Sequence, residues 1–109
     1  MVGWFVAVAW GAPPAQAREA AASTAYALEL AAYRGGAGAL EPVCTWSRRW
    51  SEARAALNEP RAAVEHLERM KALVEPVTAA VAAGTARAVD RALIDWCVAD
   101  AAVLAGVPG

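Results

Sequence analysis

The chain is short of the residues from which most protein chemistry is built. It has one histidine, two cysteines and one phenylalanine, and 10 basic against 11 acidic side chains leave a formal net charge of −1. A zinc site needs three or four convergent ligands. His66, between Glu65 and Leu67, has no second histidine and no cysteine at ligand spacing, so it reads as a solvated surface residue on a polar helix face. Cys44 and Cys97 form no C-x-x-C pair and have no histidine partner suggested by the sequence, which leaves small buried hydrophobes as their role. Balanced charge offers phosphate groups nothing to bind, and this excludes nucleic acid as a partner class. Arg34-Gly35-Gly36-Ala37-Gly38 lacks both a preceding strand and the Lys-Ser/Thr ending of a phosphate-cradling loop. Nothing alternates with period two, so the chain cannot itself form a membrane β-barrel. Glu52 and Asp100 are the one carboxylate pair that acid–base chemistry could use. No further group supports them, and the expectation is a protein that is not an enzyme and holds no cofactor and no metal.

What is present is alanine, with glutamate, arginine and leucine, and glycine and proline only at punctuating positions. That composition predicts helix nearly throughout. At 109 residues the chain makes one small domain. Alanine supplies helix propensity without much apolar area, so marginal stability or self-association follows.

The chain centres on Val43 to Leu57. Val43, Trp46, Trp50, Ala53 and Leu57 fall at alternating steps of three and four, the apolar seam of an amphipathic helix. Two tryptophans one turn apart on a seam read as core. The alternative is a cation–π surface of Trp46, Arg49 and Trp50 that meets a partner.

In chain order, Val2 to Trp10 is an uncharged apolar run, too short to span a bilayer, followed by Pro13, Pro14 and the A-x-A site Ala15-Gln16-Ala17. Residues 1–17 are therefore expected to be a signal peptide cleaved before Arg18, which places the protein in the periplasm or cell envelope. Without that cleavage the segment is a buried terminus of a cytoplasmic protein. Residues 18–106 form the helical domain. A first predicted helix carries Tyr26, Leu30 and Tyr33 on one seam until Gly35 and Gly36 stop it, and a second runs from near Ala39 to Leu57. Asn58 then reads as an N-cap with Pro60 in the first turn of a third helix. In that helix Leu67, Met70, Val74, Val77 and Val81 make a coiled-coil-like heptad face, expected to serve both the core and a partner helix, and Pro76 predicts a kink. A fourth helix, from about Ala86 to Ala105, has Val89, Leu93, Trp96 and Val103 on its seam, interrupted by Asp100.

Gly36 and Gly84 stand 48 residues apart, and at that offset Tyr33 meets Val81, Trp46 meets Ile94, Trp50 meets Val98, Glu52 meets Asp100 and Ala53 meets Ala101. Two helix–Gly–helix repeats result, at about 18–57 and 60–105. Each alone leaves an apolar stripe exposed, so the pair is expected to stack as helical hairpins, an antiparallel four-helix bundle or a coiled coil. In an up-down-up-down bundle the second and fourth helices are diagonal. Cys44 and Cys97 then lie beyond the roughly 7 Å Cα limit for a disulfide, and no bridge between them is expected.

Tyr33-x-x-Gly36, Leu40-Glu41-x-Val43, Trp46-Ser47-Arg48-Arg49-Trp50, His66-Leu67-Glu68-Arg69-Met70-Lys71 and Ala83-Gly84 together carry a resemblance. The chain resembles a group of short, exported, uncharacterised bacterial helical repeat proteins, whose Y-x-x-G units are distantly similar to the helical repeats of outer-membrane efflux (TolC-like) proteins. The resemblance implies an exported helical module and no catalytic residues. The reading from residues and resemblance together is a helical interaction or structural protein of the bacterial cell envelope. It associates with itself or a protein partner through Trp46, Arg49, Trp50, Leu67, Met70, Val74, Val77, Val81 and Trp96, with membrane association possible at the envelope. The alternatives are an accessory module of an envelope transport complex and a small bundle whose Trp46, Trp50 and Trp96 line an apolar ligand site. Export predicts that mass spectrometry of the expressed protein finds a mature start at Arg18; intact chain beginning at Met1 in the cytosol overturns it.

Overall fold

The computed structural model describes residues 13–108. Four α-helices account for most of them: α1 Pro14–Arg34, α2 Leu40–Ala56, α3 Ala62–Ala82 and α4 Ala88–Leu104, with no strand among the described residues. The fold is all-α. α1 packs on α2 and α3 on α4, and α2 in turn meets both α3 and α4. The result is a slab with principal extents of 46 × 36 × 15 Å. The apolar run Val2 to Trp10 lies outside the described residues, whereas Ala15-Gln16-Ala17 sits in the first turn of α1, where the Ala17 N–H donates to the Pro13 carbonyl at 3.0 Å.

The two hairpins repeat in strict register. α1 and α3 each have 21 residues and α2 and α4 each have 17. Starts and ends shift together, 14 to 62, 34 to 82, 40 to 88 and 56 to 104, a step of 48 every time. The helix ends repeat as well. Gly36 and Gly84 have φ of 77° and 76°, and each closes its helix with the paired 5→2 and 6→1 hydrogen bonds of a Schellman turn: Gly36 to Tyr33 and Ala37 to Ala32, then Gly84 to Val81 and Thr85 to Ala80. Left-handed backbone is why glycine stands there.

Asn58 corrects one expectation. It is not an N-cap but the left-handed residue that ends α2, with φ 65°, its N–H donating to the Ala55 carbonyl and that of Glu59 to the Arg54 carbonyl. Its counterpart 48 residues on is Gly106, with φ 75°. Asparagine is among the few non-glycine residues that tolerate this conformation. α3 starts only at Ala62, after Arg61, with no side-chain cap, and Pro60 belongs to the preceding turn.

Burial shows which seams the tertiary structure uses. On α1, Tyr26, Leu30 and Tyr33 pack against the core as expected. α2 has two working faces. The seam with Val43, Trp46, Trp50 and Ala53 includes the groups that meet α1, while Leu40, Cys44, Ser47 and Ser51 line a second buried face whose hydroxyls bond to α3. On α3 the buried line is Ala62, His66, Met70, Leu73 and Val77, with Leu67 beside it. The helix is continuous through Pro76. On α4 the expected seam is turned by about one residue, roughly 100° on a 3.6-residue helix. Asp90, Ile94, Cys97 and Ala101 are buried, whereas Val89, Trp96 and Val103 are exposed. The buried set packs into the cluster that α4 shares with α2 and α3, where Ile94 joins Met70 and Val77.

The corrected role of Asn58 separates two substitutions. Serine is as good as asparagine at an N-cap but poor in left-handed backbone. Asn58→Ser should cost about 1 kcal/mol by chemical denaturation, since a left-handed L-residue costs roughly 1–2 kcal/mol, and Asn58→Gly should cost nothing or stabilise. Equal stability of Asn58→Ser and wild type overturns this assignment.

Candidate functional site

The polar interior is built around Arg69 of α3. Its guanidinium stands 4.3 Å from the centroid of Trp50 on α2 and 5.5 Å from that of Tyr26 on α1, and the two rings are themselves 5.7 Å apart. Its Nε–H donates to Ser47 Oγ at 2.7 Å and its Nη2–H to the Ser47 carbonyl at 3.0 Å. Trp50 Nε1–H donates to Glu19 Oε1 of α1 at 2.9 Å. Arg54 binds Glu65 at 2.7 Å and approaches Glu59 at 3.6 Å and Glu19 at 3.7 Å, so one arginine of α2 ties α1 to the start of α3.

Ser47 passes this order on to His66. Its Oγ lies 2.8 Å from His66 Nδ1 and also accepts from Arg69, so one hydroxyl links the imidazole to the guanidinium. His66 is 2% exposed, which corrects the expectation of a solvated surface histidine. Burial, and then the nearby Arg69 charge, lower its pKa from 6.5 to about 4. The polar neighbours Glu65 and Glu68 suggested an outer face, yet His66 stands four residues from both Ala62 and Met70, squarely on the line α3 buries.

His66 also borders a cleft of about 420 Å³ between α2, α3 and α4, whose other walls include Cys44, Arg48, Trp96, Cys97 and Asp100. Arg48 reaches across it to Asp100 at 3.3 Å. Cys44 and Cys97 are both free and both buried, 8% and 5% exposed. Both line this cleft and belong to one core cluster. This corrects the diagonal placement, because α2 and α4 are neighbours in contact. The interaction between the two thiols, with burial, pushes Cys44 up, and the same interaction lowers Cys97 against burial and the Asp100 and Glu41 carboxylates.

The three tryptophans do not share one apolar site. Trp96 is 60% exposed at the cleft, Trp46 faces Arg18, Ala21 and Ala22, and Trp50 faces Tyr26, Arg54, Glu65 and Arg69. Nor do Trp46, Arg49 and Trp50 form one cation–π surface, because Arg49 stands over Trp46 at 4.7 Å while the cation on Trp50 is Arg69. The heptad face of α3 is spent inside the chain, with Leu67, Met70 and Val77 buried and Val74 and Val81 packed against them. Glu52 and Asp100 both line the cleft, but Asp100 is committed to Arg48. Among the described residues no group of three or more ligands is placed to hold a metal ion, and no helix is long and apolar enough to cross a membrane. No protein-family model, no curated protein and no solved structure matches the chain.

Ser47 and Arg69 were missed as a unit by sequence reasoning. The signal that finds Ser47 is the line of small side chains Cys44, Ser47 and Ser51 at steps of three and four. Nothing in the sequence aims Arg69 inward.

The depressed pKa of His66 fixes the sign of a pH effect. Between pH 6.5 and about 4 the unfolded chain takes up a proton that the fold refuses, so stability falls as pH drops through this window, with no contribution from His66 above it. The slope reaches at most about 1.4 kcal/mol per pH unit. In denaturation midpoints measured across the window, His66→Gln should lose this component while the carboxylate-driven part remains. Parallel profiles for variant and wild type overturn the assignment.

Proposed function

We propose that the chain is a non-enzymatic helical-repeat protein of the cell envelope that works by helix-to-helix association with a second copy of itself through the outer face of α4. The observation that supports this comes from the repeat. Leu40, Cys44, Ser47 and Ser51 make up the buried face on which α2 receives the second hairpin, and their counterparts 48 residues on are Ala88, Ala92, Asp95 and Ala99, all exposed. α4 thus repeats a docking helix whose docking face has nothing on it among the described residues. Beside Asp95, which pairs with Arg91, an apolar stripe of Val89, Ala92, Trp96, Ala99 and Val103 runs along it at heptad spacing, every one of them exposed. A tryptophan buries roughly 150–250 Å². At about 25 cal/mol per Å², a Trp96 left 60% exposed forgoes on the order of 3 kcal/mol.

The choice of a second copy rests on symmetry. Val89 and Val103 stand seven residues to either side of Trp96, so a two-fold axis at Trp96 sets Val89 of one copy against Val103 of the other and closes the pair. The alanines between them allow the backbones to approach closely. α1 is a poor alternative partner for this face, because the counterparts there of His66, Leu67 and Arg69 are Arg18, Glu19 and Ala21, and Glu19 is held by Trp50 and Arg54. The envelope location is supported by the apolar run Val2 to Trp10 and the A-x-A site after it.

Sedimentation tests the association. Wild type should be a dimer and Trp96→Glu a monomer with unchanged helicity by circular dichroism, since an exposed position tolerates charge and an interface does not. A wild-type chain that stays monomeric at high micromolar concentration, or a Trp96→Glu dimer, overturns the reading.

A further inference from the structure

The cleft walls hold two thiols that the association through α4 does not use. Cys44 lies on α2 of the first repeat and Cys97 on α4 of the second, 53 residues apart in sequence, yet the two helices are in contact and both side chains sit in the same buried core cluster. Both also line the cleft of about 420 Å³, so a reagent that enters the cleft meets sulfur at its wall. Two buried cysteines serving only as small hydrophobes have no need to lie together beside an opening. We propose that Cys44 and Cys97 are a redox-active dithiol that closes reversibly into a disulfide by exchange with a disulfide-bearing donor, tying the first repeat to the second.

The exchange balances in two steps. The Cys97 thiolate attacks one sulfur of the donor RS–SR, an S–S bond forms between Cys97 and that RS group, and the donor's own S–S bond breaks to release RS⁻. Cys44 then gives up its proton, its sulfur attacks Cys97 Sγ in the mixed disulfide, and the second RS⁻ leaves. The protein dithiol is oxidised by two electrons, the donor is reduced to two thiols, and the two protons lost by Cys44 and Cys97 end on those thiols. Cys97 is the attacking group because the interaction between the two thiols lowers Cys97 and raises Cys44, so the thiolate forms on Cys97 and the proton is retained on Cys44. Neither thiol belongs to the docking stripe, although Trp96 of that stripe also borders the cleft.

The test uses the full chain, reduced and then treated with oxidised glutathione under native conditions. Wild type should lose two hydrogens in mass and both titratable thiols, and should remain a monomer on a non-reducing denaturing gel. Its thermal midpoint should rise by about 10 °C or more, the scale expected for closing a loop of this length in a small domain, and fall back on reduction. Cys44→Ser should stop with one glutathione on Cys97, and Cys97→Ser should take up glutathione at least tenfold more slowly. Covalent dimers, wild type that keeps a single glutathione without closing, or two thiols that react only after denaturation overturn the proposal. Trapping on Cys44 faster than on Cys97 overturns the order of attack. If either serine variant fails to fold, the mass, gel and midpoint of wild type decide alone.

Discussion

The guanidinium of Arg69 is the contact on which the arrangement of the other helices depends. It is a cation partly withdrawn from water, and that costs free energy unless every face of it is used. Two aromatic rings from two different helices lie beside it, and the hydroxyl and carbonyl of Ser47 accept from its N–H groups. Lysine could not do this, because a point charge has no plane to stack and no fork to share between two oxygens. α1 makes little direct contact with α3, so the Tyr26–Arg69 stack carries information between them that backbone packing does not. Ser47 in turn is hydrogen-bonded to His66, so the arginine and the imidazole share one hydroxyl.

Much of the fold was legible because helix formation is local. Alanine-rich stretches punctuated by glycine give four helices, and the offset between Gly36 and Gly84 gives their period. What could not be read was rotation about each helix axis. Val89, Trp96 and Val103 form as good a seam as Ile94, Cys97 and Ala101, and only packing against α3 and α2 decides which set goes inside. The same limit hid the site. His66 was read from its charged neighbours as exposed, and the cysteines were separated by assuming diagonal helices. Both errors vanish once Ser47 and Cys44 are seen to share one face of α2 with Ser51. Asn58 was misread because asparagine serves two kinds of helix end, and only the backbone φ tells which.

The repeat is strict in backbone and loose in side chains, and this asymmetry follows from position in the stack. The same register slot holds Trp46 in the first repeat and Ile94 in the second, or Ser47 and Asp95. α2 is flanked on both sides and needs small polar groups where α3 comes close, whereas α4 is flanked on one side only. A slot therefore inherits its backbone from the repeat and its chemistry from its neighbours.

The order of contacts along the slab also sets the order in which it comes apart. α1 is held by α2, by Glu19 and by the Arg69 stack, and it contributes nothing to the walls of the cleft between α2, α3 and α4. In a stack coupled mainly between neighbours, opening energies add from the ends inward rather than all at once. Packing within each hairpin, α1 on α2 and α3 on α4, is denser than the junction between the hairpins. The hairpins are therefore the natural cooperative units of the slab, and the junction that joins them is where Ser47, His66 and the two thiols sit.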